Sequence, residues 1–386
     1  MKKRNALCAA GVVLYAIAFS AMLELGWRTS YIWSFVEENA SAWSALRFAL
    51  SKDTGMVCIG LALGLILAGA LYLLFLRVRV WWTIRLRRKT VSIGAAPLVL
   101  VLVIAVTAVV AAGAYRENSR YQAERDHTLK LRRMLASEKK IIHACGEITG
   151  PDGEVYDYTN SREALEQTLS KGAHFVEIDF AFTSDKKLVC IHNWKKDFVK
   201  ADGTMVESAA TWEEFTKGSI LGFFSTMTLE DLVQILQDHP DVYIVMDVKA
   251  AEMLRGYRYM AKFLSGKYPE MLPRMIPQFY HASQYEYLYG CGYRTMIFSL
   301  YRSGVWEYSY SALDGIIKRK LLLGVTFRQR YLHGGREGEQ VPDDLLQRVL
   351  SSRNPVYVHT IDDPDDQQEA YGMGVTAVYT NLTGGN

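Results

Sequence analysis

The chain has 386 residues, half of them hydrophobic, and carries 44 basic against 41 acidic side chains, a formal net charge of +3. This length exceeds one typical domain but falls short of three. Basic residues concentrate in the first third, so residues 141–386 are net acidic, which argues against a nucleic-acid-binding surface there.

Three uncharged and mostly apolar stretches come first along the chain, at residues 6–23, 55–76 and 91–114. About 20 such residues cross the ~30 Å hydrocarbon core of a bilayer as a helix. The first stretch follows MKKR, as a signal peptide would, but no clear small-x-small cleavage site follows it and two further stretches do. We therefore expect three transmembrane helices.

Lys and Arg residues flank these spans unevenly. They cluster before the first span and in the loop 77–89, where Trp81 and Trp82 would lie at the membrane interface. Because short basic loops stay in the cytoplasm, the sequence predicts a multi-pass protein of the cell membrane with everything after residue 114 on the extracytoplasmic side. Residues 115–140 form a basic stem, predicted to be a helix, which suits either an anionic lipid surface or plain solvent.

From residue 141 onward, short apolar runs alternate with amphipathic helical patterns. Two clear helix candidates are 161–172, with a Ser N-cap and a Gly stop, and 228–240, with Thr at the cap. The runs are 141–146, 175–182, 188–194, 242–250, 274–280, 295–301, 321–327, 355–361 and 377–382. This alternation predicts an α/β domain, and its size matches a TIM (β/α)8 barrel over 141–386. An open doubly wound sheet is the alternative, although no GxGxxG follows the first strand.

Two carboxylates share one face of the predicted strand FVEIDFAF (175–182). Glu177 and Asp179 alternate with apolar residues, so in a barrel they would point inward. At 4 Å, two such charges repel by about 4 kcal/mol even at an effective dielectric near 20. A shared proton, a cationic side chain or a metal ion must relieve that repulsion.

Other predicted strands end in residues of the same chemistry. Asp247 and Lys249 share a face of VYIVMDVKA (242–250), His143 lies in the first run and His192 in LVCIHNW. Barrel active sites lie at these strand ends. Three carboxylates suit Ca²⁺ or Mg²⁺, and two imidazoles supply a proton acceptor and a proton donor. Taken singly, each residue also has a structural explanation, such as an Asp–Lys ion pair.

These residues carry a resemblance to the glycerophosphodiester phosphodiesterase family, within the phospholipase-C-like phosphodiesterase barrels. The matching pieces are His143, YTNSREALEQTLSKGAHFVEIDFAFTSDKKLVCIHNW (158–194), MDVKA (246–250) and AVYTNL (377–382). The resemblance implies hydrolysis of a lipid-derived substrate or another glycerophosphodiester to glycerol 3-phosphate and an alcohol. By the family's pattern, His143 and His192 are the acid/base pair. Glu177, Asp179 and Asp247 would hold the metal.

The sequence departs from the family's pattern around the expected phosphate. The family usually has His-Arg-Gly, with the Arg on the phosphate, whereas Ala144 and Cys145 precede Gly146 here. The usual Pro-Glu-Asn-Thr is Tyr-Thr-Asn-Ser at 158–161, and Asp247 stands where Glu is common. Two alternatives therefore stay open. One is a catalytically inactive lipid- or ligand-binding module, and the other is a metal-independent phosphoinositide-cleaving phospholipase on the same barrel.

Several further residues are candidates for substrate binding. Lys249 or a loop arginine such as Arg302 could replace the missing phosphate-binding Arg. Gln278, Tyr280 and His359 end other predicted strands and could equally be structural. Because a membrane anchor favours a substrate in the bilayer, we expect lysophospholipid or a similar membrane or wall component.

Overall fold

An antiparallel hairpin precedes a helix of 44 residues, the longest among the residues that the structure describes. Strand β1 (Trp81–Leu86) pairs with β2 (Lys89–Gly94), and helix α1 follows at Ala95–Glu138. Residues 91–94 of the predicted third span therefore lie in β2, and the rest of that span is helical. The other two predicted spans lie outside the described residues.

The computed structural model describes residues 81–86, 89–249, 251–300, 315–316, 320–336, 339 and 341–383. Within this part of the chain, no helix has the length and hydropathy that a membrane span requires. Two compact units divide the protein, Met1–Gln122 and Ala123–Asn386. The last turns of α1 thus belong to the second unit, which begins before the expected barrel boundary at residue 141.

The second unit is built on a closed ring of eight parallel strands. In ring order the strands are β3 (Lys140–Ile142), β6 (Phe175–Phe182), β12 (Tyr243–Val248), β13 (Met275–Phe279), β14 (Ile297–Ser299), β15 (Gly324–Arg328), β16 (Val356–His359) and β17 (Ala377–Thr380). The first strand pairs with both β17 and β6, which closes the ring. The predicted TIM barrel is confirmed, and the open doubly wound sheet is wrong.

Helices connect these strands around the outside of the barrel. They are α2 (Arg162–Ser170), α3 (Trp194–Asp197), α4 (Trp212–Lys217), α5 (Leu229–Asp238), α6 (Met253–Lys267), α7 (Gln284–Cys291), α8 (Leu345–Ser351) and α9 (Pro364–Gly372). Both helices singled out from the sequence start at their predicted caps. The Ser161 side chain accepts from the Ala164 N–H, and Thr228 forms a capping box with Asp231.

A β-rich insertion separates the second and third strands of the ring. Strand β7 (Leu188–Cys190) runs antiparallel to β6, and β11 (Met227–Thr228) pairs with β7. The insertion also contains β8 (Phe198–Val199), β9 (Ser219–Ile220) and β10 (Phe224–Ser225), whereas β4 (Ile148–Thr149) and β5 (Val155–Tyr156) pair with each other between the first and second strands of the ring. The run 188–194 is therefore not a strand of the parallel ring, because the chain turns back on β6 after Phe182.

The end of the barrel where the strands begin is closed by the last turns of α1. Leu131 and Leu135 are fully buried in an apolar layer with Phe175, Tyr243 and other residues at the strand starts. Polar contacts fix the helix at the same end. The Thr128 and Thr295 hydroxyls are 3.0 Å apart, and Arg132 donates to the Leu322 carbonyl and the Asn354 side chain. This end of the barrel is sealed, so the opposite end is where a site can open.

Candidate active site

Three carboxylates meet at the end of the barrel where the strands finish. Glu177 and Asp179 lie on β6, and Asp247 lies beside Asp179 in the register of β12. One oxygen from each residue lies within 4.8 Å of the others. The predicted acidic cluster is therefore formed, and its members come from adjacent strands of a rigid sheet.

Burial makes this cluster costly without a counter-charge. Burial is the main cause of the raised pKa of Glu177, and Asp179 and Asp247 add to it. Burial and then Asp247 raise the pKa of Asp179 to about 7. Hydrogen bonds offset part of this cost, because the Ala144 N–H donates to Glu177 at 2.8 Å and the Tyr280 hydroxyl donates to Asp247. The chemistry of this donor set, three oxygen ligands on converging side chains, fits a hard divalent cation.

Asn160 fixes the second carboxylate of the cluster. Its side-chain oxygen accepts from the Asp179 N–H at 2.8 Å, and its amide nitrogen donates to an Asp179 carboxylate oxygen at 3.1 Å. Asn160 has a φ of 48° in the turn before α2, a left-handed conformation that Asn adopts more readily than most residues. The loop before α2 thus locks the carboxylate that faces the cavity.

His143 directly follows the first strand, and Asn381 orients its ring. Its Nδ1 lies 2.9 Å from Oδ1 of Asn381. The Asn381 amide nitrogen donates to Asp362 at 2.9 Å and to Asp157 at 3.3 Å, and ionised carboxylates only accept, so Oδ1 is the atom that faces the histidine. The His143 Nδ1 therefore carries the proton. In the neutral ring, Nε2, which lies 3.9 Å from Glu177, is the proton acceptor.

The turn after His143 needs unusual backbone angles. Ala144, Cys145 and Gly146 all have positive φ, at 46°, 70° and 86°. A Cβ at Gly146 would lie 2.4 Å from the Thr383 side chain, so only glycine fits there. This turn brings the Ala144 N–H to Glu177 and connects the histidine to the acidic cluster.

His192 reaches the site through the reversed strand β7. Because β7 runs back along β6, the Ile191 N–H donates to the Asp179 carbonyl at 3.0 Å, and His192 follows next in the chain. Its Nδ1 lies 3.9 Å from Asp197. The Tyr158 ring stands between the two imidazoles, with centroids 4.4 Å from His143 and 5.1 Å from His192.

A cavity of about 440 Å³ opens at this end of the barrel. Its lining consists of His143, Tyr158, Asp179, His192, Asp247, Arg328, Gln329, Arg330, Arg336, His359 and Thr360. The carboxylates come from β6 and β12, His143 and His192 follow β3 and β7, and the arginines come from the segment that ends β15 and follows it. The cavity can therefore contact an anionic substrate from two sides.

The remaining predicted site residues lie in different places. His359 lines the cavity, and its Nδ1 is 3.0 Å from the Thr326 hydroxyl. Gln278 is buried below the cavity and accepts from the Tyr379 hydroxyl at 3.1 Å. Lys249 is exposed just beyond β12 and is not part of the cavity lining. Arg302 lies outside the described residues.

Sequence reasoning missed three features of this site. Asn160 was seen only within the segment 158–161, as part of the family comparison, and Asn381 only as part of the closing run 377–382. Arg328 stands one residue beyond the predicted run 321–327. For Arg328, its position directly after an apolar run was the available signal.

The family comparison covers the centre of this domain. Residues 152–264 match the model of the glycerophosphoryl diester phosphodiesterase family. The matched segment includes Glu177, Asp179, His192 and Asp247 and starts after His143. The protein is thus an enzyme of the phosphoric diester hydrolase class. More narrowly, residues 152–264 are similar to the glycerophosphoryl diester phosphodiesterase family.

Solved structures with similar folds include three phosphodiesterases. A glycerophosphodiester phosphodiesterase from Parabacteroides distasonis is 18% identical, with a TM-score of 0.47 over 64% of this chain and 94% of that one. The glycerophosphodiester phosphodiesterase from Thermotoga maritima is 16% identical, with a TM-score of 0.43 over 64% and 95%. A phosphodiesterase from Oleispira antarctica, in complex with the product sn-glycerol-3-phosphate, is 15% identical, with a TM-score of 0.45 over 63% and 92%. None of the curated proteins matches the chain.

Proposed function

We propose that this protein is a membrane-anchored, metal-dependent phosphodiesterase. It would hydrolyse glycerophosphodiesters to glycerol 3-phosphate and an alcohol, or lysophospholipid-type substrates to acylated glycerol 3-phosphate and an alcohol. The observation that carries the proposal is the cluster of Glu177, Asp179 and Asp247 between two imidazoles at the open end of the barrel. The family match over residues 152–264 supports the same reaction class.

The carboxylates would hold Ca²⁺ or Mg²⁺. Such an ion neutralises the non-bridging oxygens of a phosphodiester and orients the attacking hydroxyl. In its absence, burial raises the pKa of both β6 carboxyls, so the site is poised to exchange protons for a cation. The locked position of Asp179, held twice by Asn160, keeps one ligand in place before the ion arrives.

The two histidines would divide the proton transfers. His143 is only 12% exposed and presents Nε2 toward the cluster, so it suits removal of the proton from the attacking hydroxyl. His192 is 39% exposed at the cavity edge, near Asp197, so it suits delivery of a proton to the leaving alkoxide. The Tyr158 ring contacts both imidazoles.

The membrane anchor is proposed from the apolar stretches at residues 6–23, 55–76 and 91–114. With basic flanks in the cytoplasm, the barrel would lie on the extracytoplasmic side of the cell membrane. Tethering raises the effective concentration of a substrate that is itself in the bilayer. A reporter fused after residue 386 should be active only outside the cytoplasm, and activity of a cytoplasmic reporter at that position would overturn the topology.

The reaction is tested with the full-length protein in liposomes. Choline release is measured from lysophosphatidylcholine and from glycerophosphocholine, with Ca²⁺, Mg²⁺ or Mn²⁺ and with a chelator. The proposal expects metal-dependent release, faster from the lipid in liposomes than from the soluble diester. Inactivity on all substrates with all three metals would favour the binding module, and activity that survives chelation would favour the metal-independent phospholipase.

A further inference from the structure

The site lacks an arginine at the position after His143, where Ala144 stands fully buried. We infer that Arg328, from the opposite side of the barrel, binds the phosphate of the substrate. This inference rests on the proposed function and adds to it the residue that recognises the anion. It also predicts that the substrate phosphate lies between β6 and β15, across the mouth of the barrel.

The ring order places Arg328 across from the carboxylates. Strand β15 is four strands away from β6 in either direction around the closed ring of eight. Arg328 ends β15 and stands in register with His359 of β16, which lines the same cavity. Thr326, two residues earlier on the same face, contacts His359 from inside the barrel. Arg328 is therefore the continuation of an inward-facing row.

The net charge of the carboxylate cluster indicates that a cationic side chain must contact the substrate from the β15 side of the cavity. Three carboxylates with one divalent ion leave about one net negative charge, which would repel an anionic phosphodiester. Among the described residues, the cationic side chains that line the cavity besides histidine are Arg328, Arg330 and Arg336. Arg330 lies on the segment after β15 and donates to both carboxylate oxygens of Glu339, one of them at 2.8 Å. Arg336 is exposed on the loop, where its backbone N–H also donates to Glu339.

Of the three arginines, Arg328 has the position that best suits recognition of the phosphate. It is half-buried at the end of a barrel strand, and groups on strands are positioned more rigidly than groups on loops. A guanidinium presents paired N–H donors that match two phosphate oxygens, and it stays charged at any working pH. In this position it would hold the phosphate in the ground state and stabilise the charge that develops in the transition state.

The test compares Arg328→Gln and Arg328→Lys in the full-length protein. Calorimetry measures the affinity of sn-glycerol 3-phosphate in saturating metal, and kinetics measure kcat and KM for glycerophosphocholine. We expect Arg328→Gln to weaken product binding by at least tenfold and to lower kcat/KM by roughly 10²–10³-fold, the usual cost of losing one such donor. Arg328→Lys should recover part of the binding, because it restores the charge but not the paired donors.

Two control variants separate this role from general charge effects. Arg336→Gln removes a cation from the rim and should weaken binding less than Arg328→Gln. Arg348→Gln removes a cation on α8, where Arg348 pairs with Asp344, and should change nothing. Thermal unfolding checks that each variant is folded. If Arg328→Gln does not fold, the comparison of wild type with Arg328→Lys is the test.

The outcomes distinguish this inference from the proposed function. Unchanged product affinity in the Arg328 variants would overturn the inference, and so would a wild-type protein that binds no sn-glycerol 3-phosphate with metal present. A wild-type protein that binds the product but hydrolyses no diester would refute the proposed function, and the loss of that binding in Arg328→Gln would still support the inference.

Discussion

The two ends of the barrel use the same inward-facing strand positions for opposite purposes. Where the strands begin, Phe175 on β6 and Tyr243 on β12 pack into an apolar layer under α1. Where they finish, the same rows carry Asp179 and Asp247, which crowd negative charge at the edge of an open cavity. The buried apolar layer at one end stabilises the fold. The crowded carboxylates at the other end destabilise it and form the candidate active site.

From this difference we expect that substitutions affecting stability and substitutions affecting activity lie at opposite ends of the barrel. Substitutions at the sealed end should change the free energy of unfolding and leave the chemistry intact. Substitutions at the open end should do the reverse. The boundary falls within single strands, since Phe175 and Glu177 are only two residues apart on β6.

The largest effect is expected from the two histidines that we propose as proton carriers at the open end. Replacing His143 or His192 with alanine should lower kcat by roughly 10²–10⁴-fold, the usual contribution of acid/base catalysis. Steady-state assays measure the loss, and thermal unfolding should show little change. His174→Ala is the matched control, because His174 lies at the sealed end against Glu138. Near-normal turnover in both active-site variants would refute the assignment.

The sealed end should respond in the opposite sense. Leu131→Ala or Leu135→Ala removes a fully buried side chain from the layer under α1. We expect a loss of about 2–5 kcal/mol in the free energy of unfolding, from the lost burial and the cavity left behind. Denaturant titration measures this loss, and kcat per folded molecule should not change. Ser137→Ala, on the exposed side of the same helix, is the control. A large fall in kcat without a loss of stability would contradict the separation.

Glu177→Gln should move stability and function in opposite directions. The amide keeps an oxygen for the Ala144 N–H but removes a buried negative charge beside Asp179. The metal-free variant should therefore unfold at a higher temperature than the metal-free wild type. Its metal affinity should fall, and excess metal should partly restore activity. A lower unfolding temperature without metal would show that the carboxylate charge is already compensated in the native protein.

The smallest effect concerns pH and follows from Asp179. Burial raises the pKa of this carboxyl to about 7, from an ordinary value of 3.8. Protonation of Asp179 therefore stabilises the metal-free fold, and this stability is fully present below about pH 4 and lost as the pH rises through about 7. A cation binds the ionised form, so the stabilisation by metal should grow over the same interval. Thermal unfolding from about pH 5 to 8 measures the difference in unfolding temperature between the metal-bound and the metal-free protein. In Asp179→Asn this difference should no longer depend on pH.

The sequence was most informative where the signal is local. Alternation in 175–182 predicted the inward pair Glu177 and Asp179, and the caps at Ser161 and Thr228 predicted where two helices begin. Each of these features depends on neighbours a few residues away. Side-chain periodicity and capping therefore specify them without knowledge of the fold.

Features that depend on ring closure could not be predicted this way. The bond between His143 and Asn381 joins the two ends of the domain, and nothing near either residue indicates it. His192 was expected at the end of a parallel strand, but it reaches the site because β7 turns back along β6. Leu131 and Leu135 lie in a charged stretch that suggests a solvated stem, and only the apolar layer below the strands explains their burial.

Closure of the ring also has a consequence for the order of folding. The first strand, β3, pairs with the last, β17, so the ring cannot close before the end of the chain is available. Contacts between such distant segments form late, because the entropy of the intervening chain must be lost first. His143 and Asn381 flank this junction. The imidazole of His143 should therefore acquire its fixed tautomer only at the final step, after most of the sheet has formed.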